Sequence, residues 1–251
     1  WSYNINWKSE VNMLYIIGIG PGGKDRMTLE AVQKIKESDV IVGYKPYIEY
    51  VAEFLTDQET FSTGMTGEIE RCKKAIEFAK AGKNVSIIST GDAGLYGMAG
   101  PVIELLKDSD VEFEVVPGVS AVFSAAADLG APLMMDTAII SLSDLLVSYE
   151  KIKKRVELAA EADFVISLYN PRSKGRPDYL NEAIQIIKKY RKGTTPVGIV
   201  RNSGRDDFSK EIATLDTIDC ESVDMKTIVI IGNSTSYIHG DNIITKRGYD
   251  I

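Results

Sequence analysis

With 251 residues, a formal net charge of −7, 44% hydrophobic and 26% charged side chains, the chain has the make-up of a folded globular protein able to core one large or two small domains. No apolar run nears the roughly 18 residues of a membrane span, and no segment has the basic, apolar and small-residue order of a secretory signal, so a cytoplasmic protein without membrane attachment is expected. The acidic balance argues against non-specific nucleic-acid binding. Two distant cysteines, Cys72 and Cys220, and a single histidine, His239, argue against a protein-held metal site or a Ser/His/Asp triad.

Residues 1–12 are polar, carry both tryptophans (Trp1 and Trp7) and read as an extension ahead of the fold. A short β-branched run, Leu14–Ile17, then opens an alternation of strands and helices, which argues for α/β architecture. Thr28 is placed to cap a helix through Leu29, Val32 and Ile35, followed by a strand over Val40–Val42. Tyr47 and Tyr50 read as packing residues between strands. A helix is expected over Glu68–Lys80, with Ile69, Cys72, Ile76 and Ala79 on one face and Gly82 beyond its end. A strand at Val85–Ile88, a helix opened by Gly100-Pro101 and a strand at Phe113–Val116 follow. An alanine-rich helix, Ala121–Leu129, is capped by Ser120 and stopped by Gly130 and Pro132.

Gly130–Leu133 is the best linker candidate, which puts an N-terminal α/β domain with a mainly parallel sheet at residues 13–131. A C-terminal α/β domain with a mixed sheet falls at 132–251. Its strands are expected at Thr137–Ile140, Phe164–Leu168, Val197–Val200, Ile212–Leu215 and Ile228–Ile231, with helices at Tyr149–Ala160 and Asp178–Arg191. His239 reads as structural or exposed.

Three of the strands in the first half end in glycine-rich turns: Gly18–Gly23, Thr90–Gly97 and Pro117–Ala121. Glycine lets a ligand approach main-chain groups, and the carboxyl edge of an open α/β sheet is where ligands bind. The first turn satisfies G-x-G-x-x-G, but its helix begins five residues late, at Thr28, and no acidic residue follows the second strand to hold a ribose. It also approaches a P-loop, yet Asp25 stands where a Ser or Thr would bind magnesium, and an acid there repels phosphate.

Taken together, the Gly18–Gly22, Gly91–Gly94 and Pro117–Ala121 turns, in that order, resemble the tetrapyrrole methylase family. The wording of Ile140–Leu146, Ala162–Ser173 and Val200–Arg205 is similar to the branch that methylates C17 of precorrin-3B or cobalt-precorrin-3 with ring contraction in cobalamin biosynthesis. The likeness runs from Met13 to about Tyr237. It implies an S-adenosylmethionine-dependent C-methyltransferase with two α/β domains, an active-site cleft between them and a homodimeric assembly. Cobalt, where present, would belong to the substrate.

The resemblance also implies site residues. The methyl donor would be read mainly by main-chain groups of Gly91, Asp92, Ala93 and Gly94, with Leu95, Tyr96, Ser120, Ala121, Tyr169, Asn202 and Thr227 completing its pocket. Asp92 adds a carboxylate able to balance the donor's positive charge, or, as a turn aspartate, to bond its own backbone. A tetrapyrrole with several carboxylates needs positive charge, which Arg172, Lys174, Arg176, Arg201 and Arg205 supply, with Ser173 beside them. Pro21 and Gly22 would offer it a rigid wall with exposed backbone. Methyl transfer asks mainly for alignment of donor and acceptor. Ring contraction moves protons, for which Asp144, Ser143 and Tyr169 are candidates. Methylation of another tetrapyrrole carbon, of RNA or of a protein by the same fold, and a non-catalytic nucleotide-binding module, remain open at this level.

Overall fold

The structure, a computed structural model, describes residues 12–64 and 66–249; apart from Asn12, the expected extension lies outside them. The chain divides into two compact units, one ending at Ser120 and the other beginning at Ala121. The boundary expected at 131/132 falls at the far end of a helix that belongs to the second unit.

In the first unit, β1 (Met13–Gly18), β2 (Val40–Tyr44), β3 (Glu59–Thr63), β4 (Val85–Ser89) and β5 (Glu112–Val116) form one sheet in the order β3-β2-β4-β1-β5. Every pairing is parallel. A parallel sheet is covered on both faces, so its central strands are mostly apolar, with Ser86 and Ser89 of β4 the buried polar exceptions. Alternate residues confirm the two faces. Ile17, Ile41 and Ile88 pack with Ala31 and Ile35 of α1 (Leu29–Glu37) and Val51 of α2 (Lys45–Val51). Ile16, Val42 and Ile87 pack with Cys72 and Ile76 of α3 (Glu68–Lys80) and Ala99 and Val102 of α4 (Ala99–Leu105). The Thr28 hydroxyl accepts from the Ala31 N–H at 3.1 Å, the expected N-cap.

Two elements of this unit, α2 and β3, are absent from the sequence reading. β3 is an edge strand with a largely exposed Glu-Thr-Phe-Ser-Thr sequence, and a ladder on one side only leaves little hydrophobic pattern to detect. Tyr47 does pack against the core, meeting the edge of Tyr44 at 5.1 Å between ring centroids.

In the second unit, α5 (Ala121–Leu129) leads into the short β6 (Gly130–Ala131). A five-stranded sheet follows, built from β7 (Thr137–Ser141), β8 (Val165–Tyr169), β9 (Pro196–Arg201), β10 (Ser209–Thr214) and β11 (Thr227–Ile231). Its order is β10-β9-β11-β8-β7, mixed as expected: β7 and β8 run parallel and the other pairs antiparallel. β10 starts three residues earlier than its apolar end implied, because its first half is an exposed edge.

Helices α6 (Tyr149–Glu161) and α7 (Tyr179–Ile187) cover one face through Ile152, Val156, Leu180 and Ile184. On the other, α5 lies so close to β9 that a Cβ at Gly198 would overlap the Leu129 side chain, which explains why α5 belongs to this unit. β12 (Ser236–His239) and β13 (Asn242–Thr245) form a hairpin that joins β6 in a small third sheet, where His239 is exposed. These short strands escaped the sequence reading.

Candidate active site

All five strands of the first sheet point the same way, so their carboxyl ends and the three glycine turns share one edge. β1 and β4 are neighbours, yet the chain leaves β1 toward α1 on one face and leaves β4 toward α4 on the other. Such a divergence opens a crevice at the strand ends, the usual ligand position in an open α/β sheet.

The turns touch backbone to backbone. A Cβ on Gly18 would stand 2.6 Å from the Gly91 carbonyl oxygen and 2.8 Å from the Gly118 nitrogen, and one on Gly118 would overlap Gly91 and Gly18. Gly20, at φ +74°, donates to the Gly91 oxygen at 3.1 Å and accepts from the Gly91 N–H at 2.7 Å. Asp92 joins the second turn to the third: one carboxylate oxygen accepts from Gly94 N–H at 2.8 Å and the other from Gly118 N–H at 3.1 Å. Ala93 and Ser120 are buried, Leu95 is half-buried, and Tyr96 is exposed at φ +57°. Pro21 and Gly22 are buried, which corrects the exposed backbone expected there. Exposure begins at Gly23, where the chain enters a 3-10 turn over Lys24–Arg26.

In the second unit β7, β8 and β9 run in one direction and β10 and β11 in the other. The loops after β7, β8 and β9 and the start of β11 therefore gather at one edge. Every candidate that the sequence placed on those loops comes to that edge: Ser143, Asp144, Tyr169, Arg172, Ser173, Lys174, Arg201, Asn202 and Thr227. Ala121 joins them, because the Tyr169 hydroxyl accepts from the N–H of the next residue, Val122, at 3.0 Å and so caps the first turn of α5.

Side chains sew these loops together. Arg176, with its side chain 12% exposed, donates to the Leu142 carbonyl at 3.1 Å and the Ser173 hydroxyl at 3.2 Å, and lies 3.7 Å from the Asp144 carboxylate. The Tyr179 hydroxyl donates to the other oxygen of Asp144 at 2.8 Å; that bond, with burial and the charge of Asp144, raises the Tyr179 pKa. Arg176, grouped by sequence with the substrate-facing cations, is thus a loop fastener. Asp144 is held as its counterpart.

Arg172 donates to the Pro177 carbonyl at 3.2 Å, and Lys174 is exposed. Arg201 donates to Asp224 at 2.9 Å, and the other Asp224 oxygen accepts from the Thr227 hydroxyl and the Lys226 N–H. Burial pushes the Asp224 carboxyl up, but the Arg201, Lys226 and Thr227 bonds outweigh it and hold it below its ordinary value. Asn202 is buried at φ +51°, donating its N–H to the Lys226 carbonyl at 3.1 Å. The neighbouring Ser203 bonds Asp128 and Ser124 of α5.

Asp224 and Tyr179 were missed from sequence. Asp224 had a local signal, an aspartate two residues before a main-chain N–H and three before the first threonine of a strand. Tyr179 had none, since its partner lies 35 residues away. Among the described residues no group of His, Cys, Asp and Glu has the makings of a metal site.

The model of the Tetrapyrrole (Corrin/Porphyrin) Methylases matches residues 13–219. This chain belongs to that family. The methylase is 48% identical over 95% of its length to all of the probable cobalt-factor III C(17)-methyltransferase of Salmonella typhimurium. It is 47% identical over 94% of its length to the cobalt-factor III methyltransferase of Priestia megaterium, of which it spans 45%. The crystal structure of the methyltransferase CobJ superposes with a TM-score of 0.88 at 31% identity, covering 94% of the methylase and 100% of that chain.

Proposed function

We propose that this methylase transfers a methyl group from S-adenosylmethionine to C17 of precorrin-3B or cobalt-precorrin-3, with associated ring contraction. The observation that carries the reading is the 48% identity to the whole of a probable cobalt-factor III C(17)-methyltransferase. The two sheet edges described above agree with it. When bound, S-adenosylmethionine supplies a methyl group already activated on a sulfonium.

The chain's own contribution is alignment. The turn Gly91–Tyr96 and Ser120 would take the donor, its glycines admitting main-chain contacts that a Cβ would block. Ala121, Tyr169, Asn202 and Thr227 are the donor contacts proposed from the second unit. Arg172, Ser173, Lys174 and Arg201 would bind the ring's carboxylates by charge-assisted hydrogen bonds, with Pro21 and Gly22 backing the first turn. Ser143 and Tyr169 remain the hydroxyls proposed for proton movement. Asp144, already held by Arg176 and Tyr179, would keep that loop in place.

Anaerobic incubation with the methyl donor and cobalt-precorrin-3, read by mass and NMR, should show a gain of one methyl at C17. No gain, with the metal-free ring equally inert, overturns the assignment. The resemblance further supports a cytoplasmic homodimer; a monomer mass in sedimentation at micromolar concentration would remove the dimer.

A further inference from the structure

The Pro117–Gly118 peptide group is gripped at both ends. Its N–H donates to Asp92 at 3.1 Å, and its carbonyl accepts from the Thr28 hydroxyl at 3.4 Å. Thr28 is itself fixed by capping α1, and Asp92 by the Gly94 N–H in its own turn. Gly118 has no side chain to resist rotation of this peptide plane, and a Cβ would collide with Gly91. The orientation of the plane therefore rests on two side chains from two other loops, 26 and 89 residues away in sequence.

We propose that Asp92 and Thr28 are positioning residues that lock the Pro117–Gly118 peptide plane, and through it the main-chain groups of the third turn that meet the methyl donor. The proposal rests on the reading of these turns as the donor site. It assigns Asp92 a different task from charge balance: its two oxygens are acceptors matched to two main-chain N–H groups. A carboxylate can accept at both oxygens, whereas an asparagine amide turns an NH2 toward one of the two N–H donors. Thr28 complements it as a hydroxyl, donating to Pro117 while accepting from Ala31. Neither residue needs to touch the donor.

The test measures donor and tetrapyrrole binding separately, by calorimetry with S-adenosylhomocysteine and with the ring substrate. Asp92→Asn should weaken donor binding about tenfold, the loss of one part-buried hydrogen bond plus a donor clash. Thr28→Val should weaken it about threefold, and Thr28→Ser should restore it. Tetrapyrrole affinity should stay within about twofold in all three variants. Amide exchange at Gly118 should quicken in Asp92→Asn and Thr28→Val and not in Thr28→Ser. Equal losses for both ligands, or unchanged donor affinity, overturn the proposal. Should Asp92→Asn fail to fold, the Thr28 pair decides alone. A wild-type protein that binds no donor sinks the site reading instead.

Discussion

A carboxylate in the loop just before β11 sets the residue-scale chemistry of the second edge. Asp224 holds Arg201 with one oxygen and Thr227 and the Lys226 N–H with the other. Its pKa is lowered in the folded protein, so its stabilising contribution is complete above the ordinary value of 3.8 and is lost as pH falls through the lower folded value. With much of the pair exposed to solvent, the amount is small. Asp224→Asn should abolish that part of the acid sensitivity below pH 4 in a melting-temperature series, and, on the proposed function, weaken tetrapyrrole binding about threefold by releasing Arg201. A variant as acid-sensitive as the wild type would refute the linkage. Cys72 is buried, and burial pushes its thiol up to about 11. It should react with iodoacetamide in the native protein more than tenfold slower than after unfolding.

At the scale of elements, the loops after β7 and β8 depend on Arg176. Removing its guanidinium takes a donor from the Leu142 carbonyl and the Ser173 hydroxyl and leaves Asp144 to Tyr179 alone. Arg176→Met should therefore cost about 2–3 kcal/mol, measured by urea unfolding, with protease sensitivity appearing between residues 142 and 148. A loss under about 0.5 kcal/mol would show that Tyr179 suffices. The elements most legible in the sequence were those with the most to bury. β1, β4, β8, β9 and β11 are buried over most of their length and rich in Val and Ile, and the helices from α3 to α6 kept their expected start or end to within about two residues. What escaped was held by ladders or tertiary contact: β3 and the first half of β10 at edges, and β6, β12 and β13 in a small sheet where a hairpin joins a strand far back in sequence. α2 was hidden by its aromatic composition, although Pro46 stands in its first turn.

The whole molecule carries a net charge of −7, while Arg172, Lys174 and Arg201 gather at one edge of the second sheet. Binding of a ring with several carboxylates to such a local excess should be screened by salt. The KM for the tetrapyrrole should rise several-fold between about 0.05 and 0.5 M salt, while the KM for the methyl donor changes less than twofold. Equal responses would argue against recognition of the ring by these cations.

By itself the sequence determined the alternation of elements, the three glycine turns, the membership of a methylase family and the loops on which nearly all site candidates lie. Those features are local: a strand covered on both faces is mostly apolar, and glycine stands where backbones approach too closely for a Cβ. Only the tertiary structure decided which groups those residues meet. Asp92 reaching Gly118, Arg176 turning inward to Leu142, and Asp224 pairing with Arg201 join segments between 23 and 34 residues apart. An aspartate or arginine looks the same in sequence whether its partner is a ligand or a neighbouring loop, because its choice depends on which strands the sheet order sets side by side.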